Sequence, residues 1–272
     1  SHHALSHPRL AEIEAVGRMI AFAEFFATPV MVFHISTTEG VTAVRAARAR
    51  GVPVWAETCP HYLFMDQSVL DREGLEGAKW MCSPPQRTSA DQEALWQGLA
   101  DGTLSLISSD HAPYRFDTSG KLSAGPDATF ADIANGLPGL EVRMPLLFDA
   151  IVSKGRLSPT AFVRLACTEP ARVHGLAGKG DVAEGFDADL AIWDPDRRVT
   201  FEANDLHDNV GYNPWMGYTV KGWPETVLVR GEVVVEDGAF CGELGTGRWL
   251  TRDKMGITAD REPAHEYREA VT

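Results

Sequence analysis

Two short segments of the sequence carry side chains that could bind a metal ion. His34 ends an apolar, β-branched run that starts at Pro29, and Asp110 follows a second apolar run within Ser109-Asp110-His111. Imidazole nitrogen and carboxylate oxygen are ligands that zinc accepts in open catalytic sites, but two ligands do not hold the ion tightly. Taken alone, His34 is explained better as a histidine that is hydrogen-bonded within the core. Together the two segments predict part of a metal centre.

The predicted elements around these residues explain how they could meet. Apolar residues recur three and four apart at Ile13, Val16 and Ile20, which predicts an amphipathic helix over residues 10–26. Buried strands and further helices then alternate, with strands predicted at residues 29–35, 52–57 and 104–110 and helices at residues 41–50 and 92–99. This alternation indicates a parallel α/β sheet or barrel, in which the carboxyl ends of the strands converge on one mouth. His34 and Asp110 both lie at such ends.

The pattern changes in the last third of the chain. There, short apolar strands are separated by Gly-Asp and Asp-Gly pairs, as around residues 188–193. Residues 226–230 continue through Gly231 into residues 232–236, which predicts a hairpin. We therefore expect three parts, namely a barrel part over residues 1–175, a small β domain over residues 176–247 and a charged surface tail over residues 248–272.

The composition argues against some classes of partner. The chain has 38 acidic and 25 basic residues and a formal net charge of −13, which opposes non-specific attraction to phosphate backbones or anionic lipid. No apolar run approaches the roughly 20 residues that a membrane helix needs, and the start has no basic stretch followed by an apolar one. The four cysteines stand alone, without a Cys-x-x-Cys pair. We expect a cytoplasmic protein with reduced thiols that binds neither nucleic acid nor membrane.

Several segments agree in residue type, order and spacing with one enzyme family. They are Val32-Phe33-His34-Ile35-Ser36, Glu57-Thr58-Cys59-Pro60-His61-Tyr62-Leu63, Ser83-Pro84-Pro85-Gln86-Arg87, Ser109-Asp110-His111-Ala112-Pro113 and Asn135-Gly136-Leu137-Pro138-Gly139-Leu140-Glu141. On these segments the chain resembles the hydantoinase/dihydropyrimidinase family of the amidohydrolase superfamily over residues 7–242. The resemblance implies an α/β fold, the later part of a (β/α)8 TIM-type barrel followed by a small β-sandwich domain.

The resemblance also implies a metal site. In that family two divalent ions, usually zinc, are held by a His-x-His motif, a carboxylated lysine, two further histidines and an aspartate. His34 matches the second of the later histidines, and Asp110 matches the aspartate. The sequence has no His-x-His motif, and its early histidines, His2, His3 and His7, lie in a polar lead-in and are not expected to be ligands. The binuclear site is incomplete in this chain, so the carboxylated lysine and the other ligands are expected upstream.

A mechanism follows from the same resemblance. In the mechanism that the resemblance implies, a metal-bridging hydroxide would attack the ring amide carbonyl, and Asp110 would accept its proton and return it to the leaving nitrogen. Ser83 and Asn135 match positions at which enzymes of the family bind the substrate ring, largely through main-chain groups. Each also suits a turn, because Ser83 precedes two prolines and Asn135 precedes a glycine. His61 is interpreted as a packing residue, and His111 as a supporting or core residue.

The resemblance thus implies a metal-dependent enzyme that opens the ring of a hydantoin or a dihydropyrimidine, which are small cyclic ureides or imides. Two alternatives stay open: an allantoinase, and a non-catalytic dihydropyrimidinase-like scaffold that keeps the fold but loses metal ligands. Retention of His34 and Asp110 favours the enzyme. We expect a piece of a longer polypeptide, because a barrel that begins near its sixth strand would expose sheet edges and apolar faces. The family is typically homotetrameric.

Overall fold

The computed structural model describes residues 2–203 and 205–252. The α-helices in this part of the chain are α1 (His2–Ser6), α2 (Arg9–Phe26), α3 (Thr38–Ala49), α4 (Pro60–Phe64), α5 (Ser89–Ala100), α6 (Leu140–Phe148), α7 (Pro159–Val163) and α8 (Glu169–Val173). Short 3-10 helices span Gln67–Leu70, Glu76–Trp80 and Phe130–Asp132, and π-helical segments span Asp149–Ser153 and Arg164–Thr168. None of the described helices is long and apolar enough to cross a membrane. Of the predicted tail, residues 253–272 lie outside the described residues.

The described strands form two sheets. The strands are β1 (Val30–Val32), β2 (Val54–Thr58), β3 (Leu106–Ile107), β4 (Leu190–Thr200), β5 (Thr219–Val229), β6 (Glu232–Glu236) and β7 (Ala239–Phe240). The first three pair in parallel in the order β1-β2-β3, and the last four form an antiparallel sheet in the order β4-β5-β6-β7. Helices alternate with the parallel strands, as predicted from the sequence.

The first and third strands are shorter than predicted, and the backbone explains why. His34 and Asp110 have φ angles of 45° and 44°, in the left-handed region, which a β-strand cannot include. Each strand therefore ends before its polar residue, and the chain turns sharply at that residue. Both residues nevertheless lie just beyond the carboxyl ends of parallel strands, where the sequence placed them.

Helices α3 and α5 both contribute apolar residues to the core beside the parallel sheet. Val41 and Val44 on α3 and Leu95 and Leu99 on α5 are buried, in one cluster with Val54 of the central strand. These residues repeat three and four apart, so each helix presents one apolar face to the sheet. The sheet is thereby held rigid below the strand ends that carry the polar side chains.

The antiparallel sheet is joined to the parallel part by an aromatic stack. The rings of Phe148 and Trp193 lie 4.3 Å apart, at an interplanar angle of 4°. The β5–β6 hairpin predicted from the sequence is present, and its two turn residues, Arg230 and Gly231, have φ angles of 52° and 84°. Positive φ at both positions is what a two-residue hairpin turn requires. Within the described residues this domain is a single sheet, and the predicted domain boundaries stay predictions.

A buried carboxylate fixes the loop that carries His34. Glu12 on α2 accepts hydrogen bonds from the backbone N–H of Ser36 at 2.9 Å, the backbone N–H of Thr37 at 3.0 Å and the Thr37 hydroxyl at 2.9 Å. The Arg87 guanidinium lies 3.5 Å from the same carboxylate, and both side chains are less than a tenth exposed. Because these contacts converge on one buried group, they hold the turn immediately after His34 against α2.

We predict that Glu12→Gln lowers the free energy of unfolding by about 2–4 kcal/mol. The amide NH2 group of glutamine would face the N–H and O–H donors that now bind the carboxylate, and Arg87 would lose its counter-charge. Glu14→Gln on the exposed side of the same helix is the matched control, since the side chain of Glu14 is 58% exposed, and it should cost less than about 0.5 kcal/mol. Urea denaturation of the two variants and the parent measures both values. Equal losses in the two variants would contradict this role of Glu12.

Candidate functional site

His34 and Asp110 lie on either side of the central strand β2. The backbone N–H of Ile35, next to His34, donates to the carbonyl oxygen of Glu57 at 2.9 Å, and the backbone N–H of Ser108 donates to the carbonyl oxygen of Thr58 at 3.1 Å. The end of β2 thus holds both flanking chains. The His34 imidazole interacts electrostatically with the Asp110 carboxylate, so the structure brings the two predicted ligand residues together at one edge.

His61 lies against the same pair, which the sequence did not predict. Its ring is buried in α4, and its Nε2 has no hydrogen-bond partner within the described chain. This nitrogen lies 3.9 Å from Oδ2 of Asp110, too far for a hydrogen bond. Burial first, and the nearby His34 second, lower the pKa of His61 to about 3. A neutral imidazole with a free nitrogen therefore faces Asp110, beyond the packing role expected from the sequence.

Glu57 is a second group at this edge that was not predicted from the sequence. It is the penultimate residue of β2, and this position next to a strand end was the signal in the sequence. Its side chain is buried and accepts a hydrogen bond from the Ser108 hydroxyl at 2.9 Å. Burial raises the pKa of Glu57 to about 7, against the opposing effects of the Ser108 hydroxyl and the His34 backbone. Burial likewise raises the pKa of Asp110, while His34 acts in the opposite direction.

Ser83 and Asn135 lie on two loops that touch each other. The backbone N–H of Gly136 donates to the carbonyl oxygen of Met81 at 2.8 Å. Gly136 has a φ of 136°, and a Cβ there would lie 2.4 Å from the Cβ of Ala112, so only glycine fits. Among the described residues, the peptide N–H and C=O groups of Ser83 and Asn135 have no hydrogen-bond partner. These main-chain groups remain free to bind a ligand.

Ser83 and His34 line one cavity of about 530 Å³. The hydroxyl of Ser83 lies 3.4 Å from Nε2 of His7. Most of the remaining cavity wall is apolar and comes from α2 and the β1 segment, including Met19 and Met31. A few polar groups in an apolar cavity of this size are typical of small-molecule sites.

The donor types at this edge fit part of a metal site. His34 offers an imidazole nitrogen and Asp110 a carboxylate oxygen, and both side chains are half-buried at the same strand ends. In the described part of the chain, no group of three or more His, Cys, Asp or Glu side chains is arranged to hold a metal ion. These residues therefore fit a shared site to which other residues contribute.

Residues 30–234 match the amidohydrolase family, and the chain belongs to that family. It is 40% identical to a D-hydantoinase of Ralstonia pickettii and 42% identical to a D-phenylhydantoinase of Escherichia coli O81 (strain ED1a). These matches cover 93% and 92% of the chain but only 55% and 54% of the two relatives. The crystal structure of dihydropyrimidinase from Brevibacillus agri NCHU1002 superimposes with a TM-score of 0.88 at 39% identity, over 92% of the chain and 54% of that structure.

These comparisons confirm two predictions from the sequence. The resemblance to the hydantoinase/dihydropyrimidinase family is confirmed, and so is the α/β fold as the later part of a barrel followed by a small β domain. The chain spans about half the length of the curated relatives it matches. Roles for His34, Asp110, Ser83 and Asn135 are not given by these matches and are proposed below.

The imidazole of His111 binds the backbone at the start of α6, which is compatible with the supporting or core role expected from the sequence. Its Nδ1 accepts hydrogen bonds from the backbone N–H of Gly139 at 3.1 Å and of Leu140 at 3.3 Å. Leu140 is the first residue of α6, so the imidazole caps the amino terminus of this helix. It also ties the chain after Asp110 to the loop after Asn135.

We predict that His111→Leu lowers the free energy of unfolding by about 1–2 kcal/mol, because two backbone N–H groups lose their acceptor. His111→Asn is the control, since its side-chain oxygen can replace Nδ1 as the acceptor, and it should retain most of the parent stability. Chemical denaturation separates the two variants. A leucine variant as stable as the asparagine variant would show that the cap contributes nothing.

Proposed function

We propose that this chain forms part of a metal-dependent hydrolase that opens a cyclic amide, of the hydantoin or dihydropyrimidine kind. The observation that carries the proposal is the convergence of His34 and Asp110 on either side of β2. Beside them, Ser83 lines the same cavity as His34 and has free main-chain groups. The hydantoinase and dihydropyrimidinase relatives support the same reaction class.

We assign His34 and Asp110 as ligands of a binuclear zinc site. The remaining ligands, among them a carboxylated lysine, would come from a segment upstream of this chain. When bound, the zinc ions supply Lewis-acid activation of water and of the ring carbonyl. The exposed apolar side chains of α2 support an upstream segment, since Phe25 is 81% and Phe26 63% exposed. Apolar side chains that project side by side from one helix usually pack against a further segment.

Asp110 carries the proton in the proposed reaction. Its carboxylate takes the proton of the attacking water and returns it to the ring nitrogen as the C–N bond breaks. Its left-handed backbone conformation turns the residue out of the line of β3, beside His34. The proposed proton carrier would thus lie at the same strand ends as the proposed metal ligand His34.

Ser83 and Asn135 bind the ring in this proposal. A cyclic ureide presents N–H and C=O groups in one plane, and paired main-chain groups of the opposite kind satisfy them. The unpaired peptide groups of Ser83 and Asn135 offer such pairs. We further propose that the complete protein is a cytoplasmic homotetramer, as is typical of the family.

We predict that Asp110→Asn lowers kcat for ring opening by about 10²–10⁴-fold in the full-length polypeptide, because an amide cannot accept the proton. Asp117→Asn is the control, since Asp117 is an exposed residue whose contacts are local, to Arg115 and Ser119. The measurement is turnover of hydantoin, dihydrouracil and allantoin, with zinc analysis of each protein.

The parent should open hydantoin or dihydrouracil and carry about two zinc ions per chain. Hydrolysis of allantoin alone would assign an allantoinase instead. A parent without zinc and without turnover of any of the three would favour the non-catalytic scaffold.

A further inference from the structure

Lys121 is a fully buried cation that the proposed reaction does not use. It lies in the irregular segment between β3 and α6, where its backbone N–H donates to the carbonyl oxygen of Arg115 at 2.8 Å. Its ammonium donates to the carbonyl oxygen of Ala134 at 2.9 Å and to that of Met81 at 3.4 Å. A buried ammonium is costly unless its donors are satisfied, so these contacts have a structural purpose.

The two carbonyls belong to the two loops that form the candidate ring site. Met81 lies two residues before Ser83, and Ala134 immediately precedes Asn135. The loops also contact each other directly through the Gly136 N–H and the Met81 carbonyl. The Lys121 ammonium therefore bridges the bases of both loops, behind the main-chain groups that are free to bind a ligand.

Peptide geometry connects this bridge to the ring site. The carbonyl of Ala134 and the N–H of Asn135 belong to one planar trans peptide, in which they point in opposite directions. When the Ala134 carbonyl points at Lys121, the Asn135 N–H points away from the ammonium. On the other loop, Nε2 of His3 lies 2.8 Å from the carbonyl oxygen of Cys82, which fixes the peptide that contains the Ser83 N–H in the same way.

We propose that Lys121 is a positioning residue for substrate binding, whose ammonium sets the orientation of the Asn135 peptide and its spacing from the Ser83 loop. This inference rests on the proposed function of the two loops. Lys121 touches neither the reacting atoms nor the metal ligands, so it acts on the affinity for the ring rather than on the chemical step.

The surroundings of Lys121 agree with this role. Burial lowers the pKa of Lys121 to about 8, and the nearby Cys82 thiol acts in the opposite direction. Among the described residues, His3 also lies near the ammonium, and its own pKa is lowered, chiefly by burial. The ammonium thus binds two carbonyls in a buried setting, where charge-assisted hydrogen bonds are stronger than in water.

The test compares Lys121→Met, which keeps the side-chain length but removes the donors, with Lys121→Gln, which keeps a shorter neutral donor. Lys79→Met is the control, because the Lys79 ammonium contacts the Glu76 carboxylate and the Phe116 ring rather than the carbonyls that Lys121 binds. Kinetics use the full-length polypeptide with its metals and a hydantoin or dihydrouracil substrate. We expect Lys121→Met to raise KM at least about tenfold, with kcat changed less than about threefold and zinc content unchanged, because uniform binding of the ring is lost. The KM of Lys121→Gln should lie between the KM of the parent and that of the methionine variant.

Amide hydrogen exchange adds a readout that does not depend on turnover. Peptides covering residues 81–83 and 134–136 should exchange at least about tenfold faster in Lys121→Met than in Lys79→Met. Unchanged KM together with unchanged exchange would overturn the inference while leaving an active parent enzyme, and hence the proposed function, intact. If the parent opens no cyclic amide, the proposed function fails, and the inference fails with it whatever the exchange shows. Should Lys121→Met not fold, Lys121→Gln decides: a KM and exchange rates equal to those of the parent would overturn the inference, and an increase in both would support it.

Discussion

The hydrogen bonding at the carboxyl end of β2 is the constraint on which the site depends. Glu57 and Thr58 accept from the chain after β1 and the chain before Asp110, and the Thr58 hydroxyl donates back to the carbonyl of Ile35 at 2.9 Å. These bonds leave His34 and Asp110 on opposite sides of one buried strand end. If this pairing slipped by one residue, the side chains would turn to the other face of the sheet, and the two groups would separate.

Several ionisable side chains in and around the proposed site are buried, and burial disfavours their charged forms. Glu57, at a pKa of about 7, is held by a hydroxyl, and Lys121, at a pKa of about 8, is held by two carbonyls. The free nitrogen of His61 faces Asp110. Such groups lower stability compared with apolar packing, and they cluster where a protein binds or transforms a ligand. His61 lies beside Asp110, and Lys121 binds the loops of Ser83 and Asn135, which agrees with the reaction class proposed for the chain.

Much of the framework could be predicted from the sequence, because it follows from local patterns. The three-and-four spacing of Ile13, Val16 and Ile20 predicted the helix observed at Arg9–Phe26. The two apolar runs on either side of Gly231 predicted the hairpin. Polar residues at strand ends predicted that His34 and Asp110 lie at one edge. These features depend on residues close together in the chain, so a periodic pattern reveals them.

Other features depend on contacts between distant parts of the chain, and no local pattern carries them. The left-handed backbone of His34 and Asp110 is rare for residues other than glycine, so the predicted strands were too long. Lys121 lies among glycines and polar residues and resembles a surface lysine until its carbonyl partners, 13 and 40 residues away, are known. The approach of His61 to Asp110, 49 residues further along the chain, is likewise carried by no local pattern.

The central claim is that His34 and Asp110 share metal ions with groups supplied from outside this chain. Anomalous diffraction at the zinc absorption edge, from crystals of the full-length polypeptide, tests it directly. We expect two peaks at this edge of the sheet, with a His34 ring nitrogen and an Asp110 oxygen each within about 2.0–2.2 Å of a zinc ion. Zinc bound elsewhere, with both side chains outside its coordination sphere, would contradict the claim.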